Sequence, residues 1–199
     1  MTDRCLSFCS LTLGAMLLLT SGKPLRAQAA AKESQPKFRV CNETYALCTR
    51  AKCVRHGDGY SCTCEVRTGP SAGGYTQACN PPVKVTPGTP LPSRYFPIKS
   101  MVVCSSPKGT EPRPWAWCLD MPCTVDKDTT KAKCECTKPP TEQRAEPFVF
   151  YPRKDSCDLS GCEEGIISSA TVEDVQEVTE FLAHSSLKPF DIKVLCPAK

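Results

Sequence analysis

The chain has 199 residues, including 16 Cys, 19 Pro and 11 Gly, and its formal net charge at pH 7 is +4. So many cysteines in so short a chain are typical of an exported disulfide scaffold, secreted or periplasmic, and not of a cytosolic enzyme. The weak positive charge and 7 % aromatic content exclude a strongly basic nucleic-acid binder. No apolar run reaches the ~20 residues of a membrane span, so we also expect no stable membrane span.

The first segment, residues 1–31, is predicted to be a signal peptide. Residues 11–19 (LTLGAMLLL) form an apolar core too short to cross a bilayer, and residues 27–31 offer two Ala-x-Ala cleavage sites. The alternative is a short membrane anchor that stays attached. Cleavage after residue 31 removes Cys5 and Cys9 and leaves 14 of the 16 cysteines. An even number in an oxidising compartment predicts seven disulfides and no free thiol.

Two blocks of cysteines share one spacing. Residues 48–64 (CTRAKCVRHGDGYSCTC) and 118–136 (CLDMPCTVDKDTTKAKCEC) both contain C-x4-C, followed after 8 or 10 residues by C-x-C. This agreement favours two repeated units. The first block contains Cys41, Cys48, Cys53, Cys62, Cys64 and Cys79, the second contains Cys104, Cys118, Cys123, Cys134, Cys136 and Cys157, and Cys162 and Cys196 follow.

Each shared motif is predicted to be a β hairpin. Turn formers lie at its centre, at residues 56–59 (HGDG) and 126–128 (DKD). The two cysteines of C-x-C point to the same face of a strand, but they lie too close together to pair with each other. Each must therefore bond to a separate partner and brace the hairpin. The predicted fold is small and disulfide-rich, mainly β hairpins in two repeated units, with one C-terminal helix (α+β overall).

The first block also resembles an EGF-like module in its spacing, C-x6-C-x4-C-x8-C-x-C-x14-C, with GYSCTC at the centre. The resemblance covers residues 41–79, extends loosely to 104–157, and implies an EGF-like fold. Residues 65–67 (EVR) stand where the family usually has a Gly-aromatic pair. Residues 37–40 (KFRV) replace the acidic cluster of calcium-binding members, so calcium binding is not implied. The alternative is an unrelated secreted cysteine-rich family.

These patterns predict five segments. A first cysteine-rich unit follows the signal peptide, and residues 80–92 then contain five prolines, which favour an extended spacer. This spacer either separates two modules or crosses one compact domain. Residues 101–103 (MVV) return to strand character. The boundaries are 1–31 (signal peptide), 32–79 (first unit), 80–100 (Pro-rich linker), 101–157 (second unit) and 158–199 (helix and strand segment).

The last segment differs in charge and predicts a helix over 171–184. Residues 155–187 contain eight acidic residues and no Lys or Arg, whereas residues 41–138 contain 13 basic and 8 acidic residues. Thr171 and Asp174 resemble a capping box. Val172, Val175, Val178 and Leu182 recur at helical spacing and form one apolar stripe. We expect this stripe to pack on the sheet. A short strand is expected to contain Ile192, Val194 and Cys196, and a Cys162–Cys196 disulfide is expected to anchor the helix and this strand.

Few residues indicate a binding or catalytic site. Trp115 and Trp117 are an aromatic platform for a glycan or peptide, or core residues of a small protein. Arg113, beside two prolines, is a candidate contact of a protease-inhibitor loop. His56 and His184 are the only histidines, and no zinc-ligand, Cys-x-x-Cys or Gly-x-Ser-x-Gly motif is present. We therefore assign no metal, no cofactor and no catalytic residue. Residues 42–44 (NET) form a glycosylation sequon, which matters only in a eukaryote.

Three classes of function remain. The first is a non-enzymatic exported protein that binds a protein or glycan partner or supports an extracellular or envelope surface. The second is a disulfide-rich protease inhibitor. The third is an exported enzyme, for which carboxylates such as Asp58, Asp120 and Glu163 would have to meet in space.

Overall fold

The computed structural model describes residues 37–95, 100–106, 110–144, 147–151, 156–163, 165–185 and 193–196. The predicted signal peptide and Ile192 lie outside these residues. Within the described ranges, no helix is long and apolar enough to cross a membrane.

Strands dominate the structure. The strands are β1 (Phe38–His56), β2 (Gly59–Gly74), β3 (Pro90–Arg94), β4 (Ser100–Cys104), β5 (Ala116–Trp117), β6 (Pro122–Val125), β7 (Lys131–Cys136), β8 (Phe148–Phe150), β9 (Ser168–Thr171) and β10 (Lys193–Cys196). The helix is α1 (Val172–Ala183), and two 3-10 helices span Thr141–Gln143 and Leu159–Glu163. The prediction of a disulfide-rich, strand-dominated fold with one helix near the C-terminus is confirmed.

Five strands close a barrel in the order β1-β2-β7-β6-β3. Both predicted hairpins are present: β1 pairs with β2, and β6 pairs with β7, each antiparallel. Gly57 has φ of +54° in the first turn, a conformation that glycine adopts without steric cost. Strand β3 lies parallel to β1 and antiparallel to β6. The prolines at 80–92 therefore lead into a barrel strand, and strands from both cysteine blocks share this barrel.

The remaining strands form a second sheet in the order β10-β4-β8-β9-β5. Strand β9 passes directly into α1. One apolar cluster spans residues of both sheets, from Leu91 on β3 to Val149 on β8. A second cluster packs Trp115 and Phe148 with Phe150. The two sheets are thus held by shared side-chain packing as well as by the chain.

Four disulfides brace the barrel. Cys48–Cys64 and Cys53–Cys62 cross-link the first hairpin, and Cys118–Cys136 and Cys123–Cys134 repeat the same nested pairing in the second motif. The strand register places Cys53, Cys62, Cys134 and Cys123 side by side across four neighbouring strands. All eight of these cysteines are buried. Each cysteine of C-x-C bonds to a separate partner, as the strand geometry predicts, while an origin of the two blocks by duplication stays a prediction.

The other three disulfides close longer loops. Cys41 pairs with Cys79, Cys104 with Cys162, and Cys157 with Cys196. The predicted Cys162–Cys196 disulfide is therefore wrong. Because β10 lies beside β4, Cys196 and Cys104 come near each other. The segment 156–163 supplies a partner to each of them, Cys157 to Cys196 and Cys162 to Cys104. Cys157–Cys196 takes over the anchoring of the last strand.

Helix α1 agrees closely with the sequence prediction. Thr171 is the N-cap, its hydroxyl accepts from the Asp174 backbone N–H at 3.1 Å, and Asp174 completes the capping box. Val175, Val178 and Leu182 are buried, whereas Val172 is half-buried. Phe181 packs its ring 5.8 Å from that of Phe38 at the start of β1. The helix therefore covers the open end of the β1–β2 hairpin.

Candidate functional site

The clearest candidate site is a cleft of about 290 Å³ at the turn end of the β1–β2 hairpin. We call it the basic cleft. Its lining residues are Arg55, Tyr60, Glu111, Pro112, Arg113, Pro114, Trp115, Lys138, Pro139 and Arg144. It is built from three parts of the chain: the hairpin end, the extended segment 111–115, and the segment that follows β7.

Strand pairing brings these three parts together. Arg55 and Tyr60 are cross-strand partners next to the first turn, and Tyr60 pairs in turn with Cys136 at the end of β7. Two backbone hydrogen bonds join Trp117 and Thr137, at 2.9 and 3.0 Å. Strand pairing and these two hydrogen bonds therefore place the hairpin end, the chain after residue 115 and the chain after β7 side by side.

Four cationic side chains and one carboxylate line the cleft. Arg55 and Lys138 are exposed and make no hydrogen bond or ion pair with any described residue. The Arg144 guanidinium donates from Nε to the Pro139 carbonyl oxygen at 3.1 Å. This leaves a positive field over the cleft and two cations whose donors are available to an incoming anion.

Arg113 is the most constrained of the four cations. Its Nη1 donates to the Cys162 carbonyl oxygen at 2.5 Å, and its Nη2 lies 3.8 Å from the Glu163 carboxylate. The backbone N–H of Arg113 donates to the Ser106 hydroxyl at 3.0 Å. Because the guanidinium is tied to the 3-10 helix at Leu159–Glu163, it does not stand at the crest of an exposed loop. The geometry does not favour the predicted inhibitor role.

The two tryptophans are core residues in different degrees. Trp115 is only 1 % exposed and stacks on Phe148 with ring centroids 6.0 Å apart. Its indole N–H, buried beneath the cleft surface, has no acceptor among the described residues. Trp117 is half-buried, packs against the same apolar cluster, and does not line the cleft. The structure thus brings Arg113 and Trp115 to one site but leaves Trp117 outside it.

A buried ion network lies elsewhere, on β1 and β3. Arg94 is 1 % exposed and donates from Nε to Glu43 at 2.8 Å and from Nη1 to Asp120 at 2.5 Å. Glu43 also accepts from the Ser71 hydroxyl at 2.6 Å and the Asn80 backbone N–H at 3.1 Å. The three charged groups tie β1, β2, β3 and the β5–β6 connection together. This network serves the barrel and not the cleft.

Asp120 occupies an unusual position in that network. Its φ of +58° lies in the left-handed region, where Asp and Asn are tolerated better than most residues. Burial raises the pKa of the Asp120 carboxyl above its usual value, against the opposing effects of the Gly74 N–H and the Arg94 guanidinium. A Cβ added at Gly73 or Gly74 would lie within 2.8 Å of Arg94 or Asp120 atoms, so both glycines make room for the network.

The other candidate groups do not converge. His56 ends β1 beside the first turn, and His184 is the C-cap of α1, where its Nδ1 lies 2.8 Å from the Glu180 carbonyl oxygen. Asp58 lies in the first turn, Asp120 binds Arg94, and Glu163 faces Arg113. The sequon asparagine, Asn42, is exposed, whereas its neighbours Glu43 and Thr44 are buried.

Two sets of three cysteine sulfurs lie within 4.8 Å of one another. The first set is Cys48, Cys123 and Cys134, and the second is Cys62, Cys118 and Cys136. All six are disulfide-bonded. A metal needs thiolates, so these sulfurs are disulfide contacts inside the barrel and not ligands.

The sequence reasoning missed three of the four cleft cations, Arg55, Lys138 and Arg144. The available signal was the surplus of basic residues over 41–138, but it does not say which of them meet. No family model, curated protein or solved structure matches this chain, so the resemblance to EGF-like modules stays a prediction.

Proposed function

We propose that this chain is an exported, non-enzymatic binding protein that recognises an acidic segment of a partner protein through the basic cleft. The disulfides support the first half of the proposal. Seven of them are present, four inside one small barrel, and such bridges persist in oxidising compartments. They are consistent with an extracellular, stabilised protein.

The observation that carries the second half is the pair of uncommitted cations, Arg55 and Lys138, among the residues that line the cleft. Neither is paired with a described residue, and both are exposed. A carboxylate entering the cleft gains charge-assisted hydrogen bonds without breaking an existing ion pair. Arg113 and Arg144 add to the attraction but are partly committed to the Cys162 and Pro139 carbonyl oxygens.

A protein partner fits the cleft better than a glycan does. Sugar rings are commonly held by stacking on exposed aromatic faces, but Trp115 is 1 % exposed and Tyr60 only 5 %. The walls are instead Pro112, Pro114 and Pro139, which offer apolar contact and no backbone N–H. A volume of about 290 Å³ suits one or two side chains and lies near the lower end of ligand sites.

Titration with a glutamate-rich peptide tests this proposal. We expect saturable binding that weakens as salt screens the charges. The double variant Arg55→Gln/Lys138→Gln removes the two uncommitted cations and should abolish most of the binding. Lys84→Gln/Lys127→Gln is the matched control, because it removes the same charge from exposed positions outside the cleft.

Two outcomes would overturn the proposal. One is equal binding by the cleft variant and its control, which would mean that general charge attraction and not the cleft holds the peptide. The other is tighter, cleft-dependent binding of a sulfated oligosaccharide than of the peptide, which would make the partner a glycan.

A further inference from the structure

The helix α1 presents an acidic face that Lys37 neutralises only in part, since this one cation pairs with Glu177 and attracts Glu173 and Asp174 over longer distances. Glu173 and Glu180 are exposed, and their carboxylates make no hydrogen bond or ion pair with other described residues. They are seven residues apart, two helical turns, so they lie on the same side of the helix about 10 Å apart. Glu177, between them, is ion-paired with Lys37.

This acidic face and the basic cleft lie at opposite ends of one hairpin. The helix packs at the open end of β1 and β2, where Phe181 contacts Phe38 and Glu177 meets Lys37. The cleft uses Arg55 and Tyr60 at the turn end. The cleft of one chain therefore cannot reach the helix of the same chain, so each charge surface remains available to another molecule.

We infer that the acidic segment recognised by the cleft is helix α1 of a second copy of this chain. This rests on the proposed function and names its partner. Glu173 and Glu180 of one copy would face Arg55 and Lys138 of the next, so that two carboxylates would meet two cations. Because the two surfaces lie at opposite ends of the hairpin, the contact can be made twice in an antiparallel pair, in which each cleft holds the helix of the other copy, or once per copy in a head-to-tail chain.

Sedimentation velocity of the oxidised protein, as a function of concentration, tests this inference. Exposed ion pairs are individually weak. We therefore expect a weak, rapidly exchanging association that is observed at high protein concentration and low salt. It should disappear in about 1 M salt, where the Debye length falls to roughly 3 Å. Glu173→Lys/Glu180→Lys and Arg55→Glu/Lys138→Glu should each weaken association by about tenfold or more. Glu135→Lys, on an exposed β7 position, is the control and should change it little.

Mixing the two reversed variants gives the sharpest result. The acidic cleft of one variant matches the basic helix of the other, and the unchanged basic cleft matches the unchanged acidic helix, so the mixture should form mixed assemblies that neither variant forms alone. Glu173→Gln/Glu180→Gln serves if a reversed variant folds poorly, and should weaken association less than full reversal.

The inference is overturned if the wild-type chain stays monomeric at low salt, or if it associates but helix variants have no effect. Binding of the glutamate-rich peptide by a chain that stays monomeric would overturn this inference alone. A chain that neither associates with itself nor binds the glutamate-rich peptide would overturn the proposed function too.

Discussion

Replacing Arg94 by Met would remove the single cation that two carboxylates share inside the barrel. Arg94 and Glu43 have side-chain exposures of 2 % and 0 %, whereas Asp120 retains 14 %. Methionine fills similar volume, so the change removes charge and hydrogen bonds and adds little cavity. The variant leaves Glu43 without its cation and Asp120 with one donor fewer.

The size of the effect follows from what each carboxylate keeps. Breaking a buried pair by removing one partner costs about 3–5 kcal/mol. Glu43 keeps the Ser71 hydroxyl and the Asn80 N–H, and water can reach Asp120 in place of Arg94. We therefore expect a loss near the lower end, about 3 kcal/mol, out of the roughly 5–15 kcal/mol that stabilises a typical domain.

Denaturant unfolding of the oxidised protein at neutral pH measures this loss. The control is Arg94→Met/Glu43→Leu, which removes the orphaned charge and should recover a large part of the stability. A loss below about 1 kcal/mol for Arg94→Met, which is typical of an exposed pair, would contradict the assignment of Arg94 as a buried cation that two carboxylates need. Failure of the double variant to recover stability would show that packing around Arg94, and not its charge, is what matters.

Three further predictions concern the rest of the fold. Thiol titration of the denatured, unreduced mature protein, without residues 1–31, should find no free thiol, because its 14 cysteines form seven disulfides; one or more free thiols per mature chain would contradict the pairing. Val175→Asp should cost at least the ~1.5–3 kcal/mol of a buried side chain, and Glu177→Ala should change the unfolding midpoint little; equal effects would mean that α1 is not docked. Because burial raises the folded-state pKa of Asp120, its contribution to stability is present below its usual value of 3.8 and is lost as pH rises through the raised pKa. The stability of the wild type relative to the Asp120→Asn variant should therefore fall as pH rises through the raised pKa, and a difference that stays constant with pH would contradict this.

Local sequence signals predicted the local structure well. The helix α1 follows from Thr171, Asp174 and an apolar stripe, all within one short segment. The two hairpins follow from turn residues placed between cysteines. That each cysteine of C-x-C bonds to a separate partner also follows locally from strand geometry, but this rule does not distinguish the nested pairing seen in the structure from a crossed one.

Non-local features were not predictable in the same way. Cys104–Cys162 spans 58 residues and depends on how the second sheet orders its strands, so spacing alone led to the wrong partner for Cys162. Strand β3 carries prolines that suggested a spacer, yet it sits parallel to β1. Arg94 is a charged residue in that segment, and charged residues are rarely fully buried without a partner. Its partner Glu43 is 51 residues away.

The basic cleft illustrates the same limit. Its four cations come from three stretches of chain that meet only after the barrel has closed. A surplus of basic residues indicated attraction to acidic groups, but only the fold shows that Arg55 and Lys138 stand together without ion-pair partners among the described residues.

The most direct test of the cleft as a binding site uses the two indole N–H signals in nitrogen–proton correlation spectra. Trp115 lines the cleft and Trp117 does not, so the protein carries its own control. On addition of the glutamate-rich peptide, the Trp115 signal should shift progressively to saturation while the Trp117 signal stays nearly constant. Shifts confined to Trp117, or no shift of either signal at peptide concentrations that saturate binding, would contradict the assignment of the cleft as the site.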